Sequence, residues 1–194
     1  MLTLRRAELA ERVAADRLRL AEVEARLRTL ESEHAVPDTE IVVKDISPTR
    51  VARLTATVES FSPEAISPVL RPLCAELGRR LEGSDASAGP LICYYEKPAG
   101  EDDPVVVHAE LPISGAVAEP NGLEMAELPA SRAATLVHHG PASGFLAGCQ
   151  ELARRTDEHG FRADGFPCEV YLHTFGDERE WVAELREPFV EQPR

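Results

Sequence analysis

Apolar residues in the first segment of the chain fall at Leu9, Val13, Leu20, Val23, Leu27 and Leu30. This is the alternating four-and-three spacing of a coiled-coil seam, broken only where Asp16 takes a core position. The text from Leu2 to His34 has no Gly or Pro and consists largely of strong helix formers. It predicts a long helix over residues 1–35, ended at Pro37, because proline and the residue before it disfavour helical geometry. A narrow seam needs a partner helix, and no later segment offers matching heptads. The expected partner is the same helix of a second copy, giving a homodimer; the plainer alternative is an amphipathic helix lying on its own domain.

From Ile41 onward the period changes, and short β-rich runs surround two helical stretches. The helix text "CAELGRR" (Cys74 to Arg80) recurs as "CQELARR" (Cys149 to Arg155). A β-like run precedes each, "RVARLTATV" from Arg50 and "RAATLVHH" from Arg132, and two more follow each. These are "PLICYYE" and "PVVVHAELPI" in the first half, "PCEVYLH" and "WVAELREPF" in the second. The pattern predicts strand, helix, strand, strand, made twice with a period of about 76 residues. The fold class is therefore α+β, with the N-terminal helix followed by a duplicated module over 40–191, its repeats about 40–113 and 123–190. Pseudo-twofold symmetry would leave a central cleft, a preferred place for a ligand.

Within that frame, "CEVYLH" (Cys168 to His173) alternates Cys168, Val170 and Leu172 against Glu169, Tyr171 and His173. If the Cys/Val/Leu face packs on helices, the other face holds a carboxylate among aromatic groups. Aligning the two repeats by Pro90 and Pro167 sets Tyr94 opposite Tyr171 and Ile92 opposite Glu169. The tyrosines would then be paired walls, with the carboxylate in one copy only. The bland reading is that Glu169 lies on a solvent-facing strand surface and that Tyr94 and Tyr171 are packing residues. Trp181, the one tryptophan, lies on a strand expected to border the cleft, and serves equally as core filler.

Composition narrows the classes further. The chain has 194 residues and 43% hydrophobic content, enough for a real core. Residues 1–34 hold seven Arg and seven Asp or Glu, so the net charge of -13 belongs wholly to the remainder. Nucleic-acid contact by this chain is not expected, since phosphate binding requires clustered Lys and Arg. An acidic interior favours a cationic small molecule instead. Cys74, Cys93, Cys149 and Cys168 lie far apart without a C-x-x-C pair, as suits reduced thiols in a cytoplasmic protein. No apolar run is long enough for a membrane span.

Several stretches carry a resemblance to a known family: "ELPASRAATLVHHGP" (Glu127 to Pro141), "EHGF" (Glu158 to Phe161), "PCEVYL" (Pro167 to Leu172) and "WVAEL" followed by "PF" (Trp181 to Phe189). Residues 41–190 resemble the GyrI-like effector-binding domain, found in DNA gyrase inhibitor proteins and at the C-terminus of MerR-type and AraC-type multidrug regulators. Residues 1–34 look like the dimerisation helix of MerR-type regulators, without the DNA-binding winged helix before it. The resemblance implies that Glu169 is the buried acid that receives lipophilic cations, with Tyr171 beside it and Tyr94 across the cleft. Ala142 and Ser143 stand where relatives often carry an aromatic, and Cys93 where a basic residue is common, which implies a wider pocket on that side.

Other chemistries find little support. His138 and His139 point to opposite faces of a strand and cannot chelate one ion together, so no metal is expected, and no cofactor motif is present. The expected function is small-molecule sensing in a MerR-like regulator that lacks its own DNA-binding head. The alternative is a stand-alone hydrolase or sequestering protein, for which Glu169 would act as general base and Tyr171 would polarise the leaving side. A third reading is a protein-binding inhibitor.

Overall fold

The computed structural model describes residues 40–82, 89–96, 103–114, 122–174 and 176–191. The predicted coiled-coil helix, with seam positions Leu9, Val13, Leu20, Val23, Leu27 and Leu30, lies outside them. Among the described residues the architecture is mixed α and β, a curled antiparallel sheet with two helices.

Nine strands form the sheet. In the first half are β1 (Val42–Ile46), β2 (Thr49–Val58), helix α1 (Pro63–Leu81), β3 (Leu91–Glu96) and β4 (Val105–Pro112). The second half contains β5 (Glu124–Leu128), β6 (Ser131–His139), α2 (Phe145–Glu158), β7 (Phe161–Ala163), β8 (Cys168–His173) and β9 (Val182–Glu191). The strand order is β1-β6-β9-β8-β3-β4-β2-β5, with β7 paired to β9. Exchanging β1 with β5, β2 with β6, β3 with β8 and β4 with β9 returns the same order reversed. The duplication is therefore a pseudo-twofold of the sheet, and its axis lies between β3 and β8. Each repeat lends its first strand to the other, since β1 pairs with β6 and β5 with β2. Neither β1 nor β5 was evident in the hydrophobic pattern, because an edge strand needs only one partner and one apolar face.

The repeated heptapeptide behaves alike in both copies. Glu76 bonds Arg79 and Arg80 within α1, and Glu151 bonds Arg154 and Arg155 within α2. These pairs sit on the outward face of each helix, while Leu77 and Leu152 of the same text are buried at 0% and 1% exposure. Full burial of a leucine contributes roughly 2 kcal/mol. Helix α1 starts at Ser62, whose Oγ accepts the Ala65 N–H at 3.3 Å, with Pro63 in the first turn, where a missing N–H costs nothing. Helix α2 lies close against its strands: a Cβ on Gly148 would stand 2.4 Å from Leu185 Cδ1. Glycine there allows the helix backbone to approach the sheet.

Candidate ligand-binding site

The centre of the sheet is the β3/β8 junction, where Cys93 pairs with Glu169, Tyr94 with Cys168 and Leu91 with Tyr171. Cys93 packs with Leu77, Val107 and Ala109 in the core beneath α1, and Tyr95, Leu91 and Tyr171 pack against the same cluster. Strand alternation then places Cys93, Tyr95, Glu169 and Tyr171 on the helix side of the sheet. Two expectations from the sequence are corrected. The helices cover the Glu169/Tyr171 face rather than the Cys168/Val170/Leu172 face, and Leu172 is 51% exposed. The repeats also correspond as Cys93 with Glu169 and Tyr95 with Tyr171, one residue from the proline alignment.

That single residue decides which tyrosine meets the carboxylate, because a one-residue slip in a strand moves every side chain to the other face. The Tyr171 hydroxyl donates to Glu169 Oε2 at 2.7 Å and the Tyr95 hydroxyl donates to the same oxygen at 3.2 Å. Tyr94 points the opposite way. Its ring stacks on His108 at 4.3 Å and on Phe166 at 5.9 Å, with the Arg53 guanidinium 5.9 Å from the ring centre. The ring expected to receive a ligand cation already has one from its own chain. Proline anchors misled because a loop length differs between the copies, whereas the period of about 76 residues, applied literally, leads from Tyr171 to Tyr95.

Further rings extend the site symmetrically. Phe61, just before α1, meets Tyr95 edge-on at 5.5 Å, and Phe145, the first residue of α2, meets Tyr171 at 5.8 Å. Phe61 is 55% exposed and Phe145 is buried. From the helices come the two heptapeptide cysteines: Cys74 Sγ lies 3.9 Å from Cys93 Sγ, and Cys149 is close enough for the Glu169 charge to raise its pKa, second to burial. Tyr95, Phe61, Phe145 and the cysteines were not singled out from the sequence, since each joins the site only through pairing or helix docking. Beside Tyr171 a hollow of about 500 Å³ opens between Gly89, Pro90, Leu91, Leu172 and Thr174. Trp181 is half-buried, and its indole N–H is buried without a partner. Its backbone carbonyl accepts from Gly140 N–H.

The electrostatics of Glu169 follow from this enclosure. Burial disfavours the charged form and pushes its pKa up to about 7, against the opposing pull of the Tyr171 and Tyr95 hydroxyls. No cationic side chain among the described residues bonds it. Two buried carboxylates of the sheet, Glu110 and Glu184, differ: Glu110 is bonded by Arg53 at 2.5 Å, and Glu184 by Lys44 and by Arg186 at 2.7 Å. Both tyrosine hydroxyls are held far above their ordinary range, by burial first and the Glu169 charge second, and so remain donors.

Residues 39–189 match the GyrI-like family, described as a GyrI-like small-molecule binding domain. This chain belongs to that family. The GyrI-like fold also recurs in solved structures at low identity. EcmrR, a MerR-family regulator seen in complex with DNA, superposes with a TM-score of 0.64 at 18% identity, covering 98% of this chain and 72% of that one. SAV2435 bound to tetraphenylphosphonium gives 0.57 at 12%, covering 78% and 94%. A hydrolase from Listeria innocua gives 0.53 at 13%, covering 84% and 98%. No curated protein matches the sequence. Among the described residues there is no group of three or more His, Cys, Asp or Glu side chains placed to hold a metal, and no helix long and apolar enough to cross a membrane.

Proposed function

We propose that this chain is the ligand-sensing module of a MerR-like transcription regulator, and that it receives lipophilic cations at Glu169. The observation that carries the reading is a half-buried carboxylate with two tyrosine donors and no cation of its own. A cation arriving beside Glu169 restores the ionised form and replaces the interaction with water that burial removed. Tyr95, Tyr171 and Phe61 offer ring faces, each worth about 0.5–2 kcal/mol to a cation and tolerant of varied shape. SAV2435, of the same fold, is seen with a cation of this kind, tetraphenylphosphonium. Likeness to the DNA-bound EcmrR supports the regulatory role. Binding would change how two effector modules sit on a shared N-terminal helix pair built on Leu20 and Leu27.

Calorimetric titration with tetraphenylphosphonium and with neutral triphenylphosphine oxide tests the assignment. Glu169→Gln is expected to weaken the cation more than tenfold and leave the neutral compound nearly unchanged. Equal loss of both would refute the charge argument.

A second reading rests on the 2.7 Å contact between the Tyr171 hydroxyl and a carboxyl that titrates near neutrality. Such a pair can take a proton from water and polarise a leaving group, as a hydrolase requires. The hydrolase from Listeria innocua shares the fold. Turnover of a reactive neutral substrate that Glu169→Gln abolishes would favour this reading over sensing.

A further inference from the structure

The two repeats carry a cysteine at the same point of each helix, and the group it faces differs. Cys74 of α1 and Cys149 of α2 are the first residues of the recurring heptapeptide. On the strands, the counterpart of Cys93 is Glu169, its cross-strand partner at the β3/β8 junction. The helix cysteine thus faces a carboxylate in the second repeat and a second thiol in the first, where Cys74 Sγ lies 3.9 Å from Cys93 Sγ. An S–S bond of about 2 Å requires this pair to close by roughly 2 Å, shared between two side chains and the helix that carries one of them.

The two thiols are unequal. Cys93 is buried at 0% exposure, whereas Cys74 is half-buried where α1 packs on the core through Leu70 and Leu77. A thiolate is better solvated at Cys74, and the Cys93 S–H can bond it. That bond holds Cys74 below its ordinary pKa, against burial and the Glu169 charge. One sulfur is therefore placed to attack and the other to resolve. The pair is also tied to the cleft. Tyr95, two residues after Cys93 on the same face of β3, donates to Glu169 at 3.2 Å, and Phe61 at the start of α1 meets Tyr95 edge-on at 5.5 Å. Drawing α1 and β3 together moves both rings.

We infer that Cys74 and Cys93 are a modification site, a thiol pair that organic hydroperoxides close reversibly to a disulfide, and that closure weakens cation binding at Glu169. The second half of this statement rests on the proposed function. The Cys74 thiolate attacks the terminal oxygen of the hydroperoxide, the O–O bond breaks, and the alkoxide leaves and takes up a proton to become the alcohol. Cys74 is then a sulfenic acid. The Cys93 thiol attacks its sulfur and expels water, so the two thiols give up two electrons and two protons, and the hydroperoxide ends as alcohol and water. Cys149 has Glu169 before it instead of a thiol, and Cys168 lies on the other face of β8, so neither joins the pair.

The test treats the full chain with cumene hydroperoxide, maps disulfides by peptide mass spectrometry, and reads tetraphenylphosphonium affinity by calorimetry before and after. A Cys74–Cys93 disulfide is expected, reversed by dithiothreitol. It should be absent in Cys74→Ser and in Cys93→Ala, and should form as in the wild type when Cys149→Ser and Cys168→Ser are combined. Oxidised wild type should bind tetraphenylphosphonium about fivefold more weakly than reduced, the effect of losing one ring contact. Cys74→Ser should show the same affinity before and after treatment. The inference is overturned by thiols that survive the treatment, by sulfinic or sulfonic acid at Cys74 without a disulfide, by a disulfide through Cys149 or Cys168, or by a Cys74–Cys93 disulfide that leaves cation affinity unchanged. Failure of the reduced protein to bind tetraphenylphosphonium would count against the proposed function, while the disulfide map would still decide the thiol pair.

Discussion

Glu110, which is buried, and Glu169, which is half-buried, are carboxylates on neighbouring parts of one sheet, facing opposite sides. Both touch β3, Glu110 across from Ile92 and Glu169 across from Cys93. Glu110, at 0% exposure, has the Arg53 guanidinium at 2.5 Å, with Tyr94 and His108 stacked beside the pair. Glu169 has hydroxyls only. One charge is compensated from within the chain, and the other leaves compensation to whatever enters the cleft. The difference in compensation is what separates a structural acid from a receptive one: Glu110 is fully buried and paired, while Glu169 is half-buried and unpaired by any cation among the described residues.

The largest effect should come from removing the compensation at Glu110. Arg53→Ala leaves an unpaired buried charge and is expected to cost about 3–5 kcal/mol in urea unfolding. The double variant Arg53→Met with Glu110→Gln should recover most of that loss. If Arg53→Ala instead costs under about 1 kcal/mol, the two acids do not differ in the way proposed.

Next in size is the pH dependence tied to Glu169. Its folded pKa of about 7 lies above that of the unfolded chain. Stability from this group is therefore full below about pH 4.5 and is lost as pH rises through about 7, by roughly 3 kcal/mol. Glu169→Gln removes that dependence, so the variant should gain on the wild type between pH 5 and pH 8. Glu187, also pushed up to about 7, contributes with the same sign and remains in the variant. Tetraphenylphosphonium should bind more tightly as pH rises over this interval, because the ionised acid is the receptive form. Affinity that falls with pH would contradict the assignment.

The smallest effect separates the two faces of β3. Tyr95→Phe removes a donor to the ionised acid and should weaken tetraphenylphosphonium about fivefold, near 1 kcal/mol. Tyr94→Phe, on the Arg53 side, should leave its affinity unchanged. The reverse ranking would restore Tyr94 to the cleft wall.

The hydrophobic periods, the recurring heptapeptide and the family-like strand text were local signals, and they led to the duplicated strand-helix-strand-strand order and to Glu169 and Tyr171. Each needs only neighbours along the chain: a strand alternates, a helix repeats its apolar stripe, and Glu76 finds Arg79 and Arg80 three and four residues on. The tertiary structure decided the rest. Which face of β8 the helices cover, and whether Tyr94 or Tyr95 meets Glu169, depend on inter-strand register. A one-residue difference in a loop changes that register without altering the local pattern on either side. The exchange of β1 and β5 between repeats, and the contrast between Glu110 with its arginine and Glu169 without one, likewise rest on partners that the sequence leaves distant and packing brings together. Compensation of a buried charge is settled by what stands beside it in space.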